Sequence, residues 1–243
     1  MARAVVTGGS RGVGRAIVAA LENDRWEVIV WSRSTGVDVT DRTAVDAAAR
    51  EAGAVGLLVT NAGTMDAVGL PWEVDPDDWR RDLETSALGA YLCARAVMPG
   101  MIARGGGRIV TVSSNVAVRP SPYQSGYAAG KAGMLSLTEA LAAAGAPHGI
   151  RVFAVSPGYV DTDMTRRMHE RAQGEPWAGT LGSGRVLDPR RVARLVVFFA
   201  SGAGDSLSGR YVHVLDDVEE LVRRADEIAN DELYVPRIHG ISR

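Results

Sequence analysis

The chain has 243 residues, 46% of them hydrophobic, and a formal net charge of -2. That length supports one full-sized core, and the near-neutral balance gives no global field to draw nucleic acid or an acidic membrane. A single cysteine, Cys93, excludes an internal disulfide and a cysteine-rich metal site, so no metal is expected.

No stretch reads as reaching transmembrane length, and the N-terminus enters a strand directly. The expectation is a soluble, cytoplasmic chain forming one α/β domain over 1–243. Residues 4–7 (AVVT) read as its first buried strand. Gly8, Gly9, Ser10, Arg11, Gly12, Val13 and Gly14 follow, then a helical apolar pattern at Ile17, Val18 and Leu21. Strand, glycine-rich turn and helix in succession are the context for a phosphate at a helix N-terminus. Glycine allows the sharp turn and the close approach of a pyrophosphate. The spacing is G-x-x-x-G-x-G, and its place at the first βα turn favours cofactor binding over a purely geometric need for glycine.

Residues 27–31 form a second strand ending in Ser32, Arg33 and Ser34. An acidic residue here would bond a ribose 2′-OH, whereas arginine accommodates a 2′-phosphate. The acid is absent, Arg33 is present, and Arg11 adds a second guanidinium on the same side. NADP(H) is therefore favoured over NAD(H), the alternative being two solvated surface arginines.

Residues 36–40 (GVDVT) read as a short third strand carrying Asp38 and Val39, although no crossover helix precedes it. Residues 41–52 are helical, starting at Asp41. A strand at 57–60 leads into Asn61, Ala62 and Gly63, where Asn can tie two backbones together and Gly admits a ligand. Asp75 and Pro76 begin a helix as cap and first-turn residue. A long apolar helix is expected over 83–104, and a strand at 108–112 delivers Ser113 and Ser114 at its C-terminal end, the ligand-binding edge of open α/β sheets.

The next helix holds Tyr127 and Lys131, which share a face at i and i+4. A free phenol has a pKa of ~10 and exchanges protons poorly at neutral pH. A cation ~4 Å away at an effective dielectric of ~20 is worth ~4 kcal/mol, or roughly three pKa units. Tyr127 could then act as a general acid or base, with the Ser114 hydroxyl holding the substrate oxygen. A strand at 151–155 precedes Ser156, Pro157 and Gly158. Residues 161–189, with a short helix near 165–173, are the expected lid and substrate-contact region. A helix over 189–200 and a strand over 210–215 close the sheet. Apolar residues at Val218, Leu221, Val222, Ala225, Ile228 and Ala229 fit one more docked helix, in a C-terminal extension over 216–243.

In this order and spacing, the glycine turn with Thr7, Asp38, Asn61-Ala62-Gly63, Ser114, Tyr127-x-x-x-Lys131, and Pro157-Gly158 with Thr162 resemble the short-chain dehydrogenase/reductase family. The resemblance spans nearly the whole chain. It implies a doubly wound parallel sheet (Rossmann fold) of about seven strands with helices on both faces. It implies Tyr127 as catalytic acid/base, Lys131 lowering its pKa and bonding the nicotinamide ribose, and Ser114 holding the carbonyl or hydroxyl. Asp38 would bond the adenine amino group, Asn61 and its neighbours would line the adenosine ribose, and Pro157, Gly158, Val160 and Thr162 would face the nicotinamide.

Two departures stand out. The family's fourth catalytic position, an Asn three residues before the Gly of the first long helix, is Ser86 here. The usual Asp-Gly-Gly turn after the last strand is replaced by Val214-Leu215-Asp216-Asp217. The expected activity is NADP(H)-dependent interconversion of a small-molecule ketone and secondary alcohol. A β-ketoacyl-thioester reductase and a non-catalytic NADP-binding sensor are the alternatives, and a homodimer or homotetramer through the two long helices is implied.

Overall fold

A computed structural model of the chain describes residues 2–182 and 184–237. Position 183 of the expected lid and the last six residues of the expected C-terminal extension lie outside the described residues. Six parallel strands form one sheet: β1 (Arg3–Thr7), β2 (Glu27–Trp31), β3 (Val55–Thr60), β4 (Gly107–Val112), β5 (Ile150–Ser156) and β6 (Tyr211–His213), in the order β2-β1-β3-β4-β5-β6.

Alternate residues of each strand face opposite sides, and both faces are covered, so the strands read as continuous apolar runs. Ala4, Val6, Leu57, Val59, Val110 and Phe153 face one layer, with Ile17 and Leu21 of α1 (Gly12–Asn23) and Val196 and Phe199 of α7 (Arg190–Ser201). Val5, Leu58, Ile109 and Val152 face the other, with Val45 of α2 (Arg42–Ala52), Val97 and Met101 of α4 (Gly89–Ala103), and Ala142 of α5 (Ser125–Gly145). Chain order reverses between β1 and β3, which opens a crevice at their carboxyl ends.

Among the described residues the count is six strands, not about seven, because residues 36–40 form no strand. The Val37 amide returns to the Ser32 carbonyl at 2.9 Å, closing a tight turn, and Asp38 Oδ1 accepts from the Thr40 amide and hydroxyl at 2.9 and 2.7 Å. With no crossover helix after β2, the segment lacks the length to reach a parallel register and turns into α2 instead.

The first long helix begins earlier than expected. Asp75 caps α3 (Pro76–Leu83) through the amides of Asp77 and Asp78, and a π-helical turn (Glu84–Leu88) joins α3 to α4 without a break. The resulting 28-residue run, Pro76–Ala103, contains an 18-residue window of mean hydropathy 1.3. Against the sequence expectation, one helix is thus long and apolar enough to cross a membrane by length and composition. Here 44% of that window is buried inside the protein. Leu88, Tyr91 and Ile102 remain exposed along it.

The expected single C-terminal helix is two, α8 (Val218–Arg223) and α9 (Ala225–Asn230), split at Arg224, whose φ of -101° and ψ of 21° leave the helical region. Leu221 and Ile228 are buried against the α1/α7 layer, with Val218, Val222 and Ala225 packed beside them.

Candidate active site

The glycine turn is built by close approach. A Cβ on Gly14 would lie 2.2 Å from the Gly8 carbonyl oxygen and 2.6 Å from Asn61 Nδ2. Gly8 and Gly12 have φ of 63° and 53°, where glycine avoids the strain of a side chain. Asn61 joins this turn to β3: its Nδ2 donates to the Thr7 and Gly8 carbonyls at 3.0 and 3.2 Å, while the Asn61 and Ala62 amides both donate to Thr7 Oγ1 at 2.9 Å. These bonds fix the mouth of the crevice.

A cleft of about 540 Å³ runs across that mouth. Gly8, Ser10, Arg11, Gly12 and Val13 line it from the turn, Arg33, Asp38 and Val39 from the end of β2, and Asn61, Ala62 and Gly63 from β3. Tyr127, Lys131, Pro157 and Thr162 complete its other end. Gly14 lies beneath the turn, and Val160 is buried behind the wall. Gly158 (φ 67°) turns the chain after β5, where a Cβ would meet Leu187 at 2.5 Å. Trp31, Ser32, Thr64, Arg81 and Met164 also line the cleft and were not singled out from sequence. All but Arg81, which adjoins no motif, flank recognised motifs, and adjacency was the available signal.

Ser114 follows β4 at the same edge, where its side chain lies close enough to Tyr127 to bear on the phenol, and its Oγ accepts from the Val116 amide at 3.5 Å. Lys131 lies one turn further along α5, 3% exposed, with Nζ 5.5 Å from the Tyr127 ring centroid. Nζ donates to the Val112 carbonyl at 2.7 Å. The position a Cβ would take on Gly63 is 3.6 Å from Lys131 Nζ and 3.7 Å from Ser86 Oγ, so both polar groups converge opposite that glycine. Ser86 sits on the π-helical turn, 1% exposed, and its Oγ has no hydrogen-bond partner among the described residues. Single π turns concentrate at functional sites.

The electrostatics differ from the sequence expectation. Burial pushes the Tyr127 phenol up to about 12; the Ser114 hydrogen bond works against this and the Asp82 carboxylate adds to it. Burial draws Lys131 down to about 8. The expected lowering of Tyr127 by Lys131 is not seen as the residues stand: burial raises the phenol, and Nζ donates to the Val112 carbonyl. Asp38 lies below its usual value: burial raises it, but the Thr40 amide and hydroxyl and the Arg33 charge together outweigh that.

Asp82, fully buried on α3, holds the loop after Gly63 by accepting from the Asp66 amide at 2.8 and 3.0 Å and the Ala67 amide at 3.0 Å. Over this loop lies α6 (Asp163–Arg171), which Thr162 caps through the Thr165 amide.

A strand-end crevice, a glycine turn and a Ser/Tyr/Lys cluster at one sheet edge define a dinucleotide-dependent oxidoreductase site. Residues 8–216 match the family model described as enoyl-(acyl carrier protein) reductase. The 3-oxoacyl-(acyl-carrier-protein) reductase of Vibrio harveyi is 34% identical over 87% of this chain and 94% of its own. The acetoacetyl-CoA reductase of Rhizobium meliloti is 36% identical over 85% and 93%. A provisionally named NAD(P)-dependent gluconate 5-dehydrogenase from Beutenbergia cavernae, solved with NADP at low occupancy, superposes with a TM-score of 0.78 at 30% identity, covering 88% of this chain and 94% of that one. The chain belongs to the short-chain dehydrogenase/reductase family. It is an oxidoreductase acting between CH–OH and C=O groups.

Proposed function

We propose that the protein is an NADP(H)-dependent reductase that interconverts a ketone and a secondary alcohol, with Tyr127 as the acid/base. The observation that carries this reading is Tyr127 and buried Lys131 together lining one end of the cleft, with the Ser114 side chain beside the phenol. The cradle fits a dinucleotide phosphate: Gly8 and Gly12 line it without side chains, and Arg11 and Arg33 line the half of the cleft where a 2′-phosphate would lie. When bound, the nicotinamide supplies the hydride.

The protein's own groups then divide the work. Ser114 holds the substrate oxygen, and Tyr127 gives it the proton in reduction or takes it in oxidation. Lys131 orients the cofactor ribose and lies beneath the phenol. Ser86 Oγ, buried and free to bond, supports a water beside Lys131 in the role the family gives to Asn. Pro157, Gly158, Val160 and Thr162 flank the nicotinamide, and Asn61 to Gly63 the adenosine ribose. Asp38 is positioned to receive the adenine amino group.

The names of the relatives favour a 3-oxoacyl thioester over a sugar as the substrate class. Residues 161–189 form the substrate loop of a single domain, and 216–243 its C-terminal extension. The exposed Leu88, Tyr91 and Ile102 along the first long helix suit a homodimer or homotetramer in the cytoplasm. Tyr127→Phe is expected to lower turnover by at least ~10³-fold while NADPH binding stays within about twofold, as read by NADPH oxidation and fluorescence titration. Full activity in that variant would overturn the assignment.

A further inference from the structure

Strand β6 ends the sheet and pairs with β5 alone among the described strands. The Ala154 amide donates to the Arg210 carbonyl at 3.0 Å, and the Val214 amide donates to the Ser156 carbonyl at 3.0 Å, so Arg210 and Val214 turn backbone groups towards β5. Backbone groups alternate sides along a strand, so those of Tyr211 and His213 point outward from the sheet. Outward groups on an edge strand are a template for a strand of another chain.

This chain occupies them itself. The His213 amide donates to Asp216 Oδ2 at 2.7 Å, and the His213 carbonyl accepts from the Asp216 amide at 2.9 Å. Asp216 is one of the residues that replace the family's Asp-Gly-Gly turn, and glycine has no carboxylate to offer there. The Tyr211 amide donates to the Tyr234 carbonyl at 2.8 Å. Tyr234 belongs to residues 231–237, which return past the edge after α9. At the start of this stretch the Leu233 amide donates to the Ile228 carbonyl at 3.0 Å. At its end Arg237 pairs with Glu139 of α5 at 2.9 Å and with Glu232 at 3.0 Å. Glu232 and Tyr234 have left-handed φ of 49° and 60°, although neither is glycine. Such backbone is unfavourable and persists where its surroundings hold it. The stretch is thus bent onto the edge and pinned at both ends.

We propose that residues 231–237 are a strap that takes the place of a second copy's strand on β6. The strap leaves association between copies to the long-helix face. Its release exposes an interface for a second copy of this chain, two such edges pairing about a twofold axis. The inference is independent of the reductase reading.

Tyr234→Pro is the test, because proline holds φ at about -65° and cannot take the left-handed turn. Tyr234→Gly is the control, since glycine takes that turn without strain. Sedimentation is expected to give Y234G the wild-type mass and Y234P about twice that mass, with both folded by circular dichroism. Adding Tyr211→Pro deletes the outward donor and should return Y234P to the wild-type mass. A folded Y234P of wild-type mass, or a double variant that keeps the doubled mass, would overturn the proposal.

Hydrogen exchange in the wild-type protein decides the matter if Y234P does not fold. The Tyr211 amide should be equally protected in dilute and concentrated protein, as a bond within one chain requires. Protection that rises with concentration would put a second copy on the edge and overturn the proposal.

Discussion

Lys131 carries a charge in an almost wholly buried place. It is 3% exposed, and its Nζ donates to the Val112 carbonyl at 2.7 Å and lies 3.6 Å from Met134 Sδ. One good acceptor and one weak one do not replace the hydration of an ammonium with three donors. Burial accordingly draws its pKa from 10.5 to about 8. At ~1.4 kcal/mol per unit, that difference costs the protonated folded state about 3 kcal/mol.

The sign follows from proton counts. Between about pH 8 and 10.5 the unfolded chain holds the Lys131 proton and the folded chain has lost it, so stability rises with pH across that window and the penalty is fully present below it. Replacing the residue with Met removes the charge and keeps an apolar chain. Lys131→Met is expected to be more stable than wild type at pH 7 by about 1–3 kcal/mol, and the gap should close as pH approaches 10. Urea unfolding of both proteins at intervals from pH 7 to 10, compared as a difference, isolates this contribution from Cys93 and the tyrosines, which wild type and variant share. A K131M protein that is less stable at pH 7, or a gap that does not change with pH, would refute the argument. Activity should be lost in the same variant, since the residue that weakens the fold is the one beneath the phenol.

Gly14→Ala should weaken NADPH binding at least ~10-fold and lower the melting temperature, because its Cβ would be driven into the Gly8 carbonyl and Asn61; calorimetric titration and thermal melting check both. Arg33→Ala should raise KM for NADPH about 10-fold or more with little change for NADH, and should flatten the salt dependence of NADPH binding. Ser86→Ala deletes a buried hydroxyl that has no partner, so stability should hold or rise by up to ~1 kcal/mol while kcat falls about 10-fold; a fall in stability without a fall in kcat would make Ser86 a structural residue only.

The parts of the site legible in the sequence are those set by local spacing. The glycine turn between an apolar run and a helical pattern, Tyr127 and Lys131 four residues apart, and Ser114 at a strand end need only the periods of helix and strand to be placed. What escaped is non-local. The third strand at residues 36–40 failed because its existence depends on a crossover that the chain lacks, and local β-propensity there lost to a turn closed by Ser32 and Thr40. The π-helical turn under Ser86 leaves no mark in the pattern of apolar residues. The bonds that assemble the lid, Arg171 to Asp66 and Gln124 to Met168, join residues 105 and 44 positions apart. The split at Arg224 also escaped, because the apolar stripe of residues 218–229 is continuous across it.

The phenol and ammonium show why spacing alone misjudged the chemistry. From ordinary values of 10.0 and 10.5, the fold moves Tyr127 up to about 12 and Lys131 down to about 8. Burial causes both shifts, since each neutral form is the one a dry site prefers. Across neutral pH, Tyr127 therefore stays protonated, and at about 12 it is a weaker acid than a free phenol, so these residues alone favour neither direction of proton transfer. Making it an acceptor requires a cation nearer than Lys131 stands now, and that ammonium is free to approach only after giving up the Val112 carbonyl. Both directions of proton transfer therefore depend on what else enters the cleft.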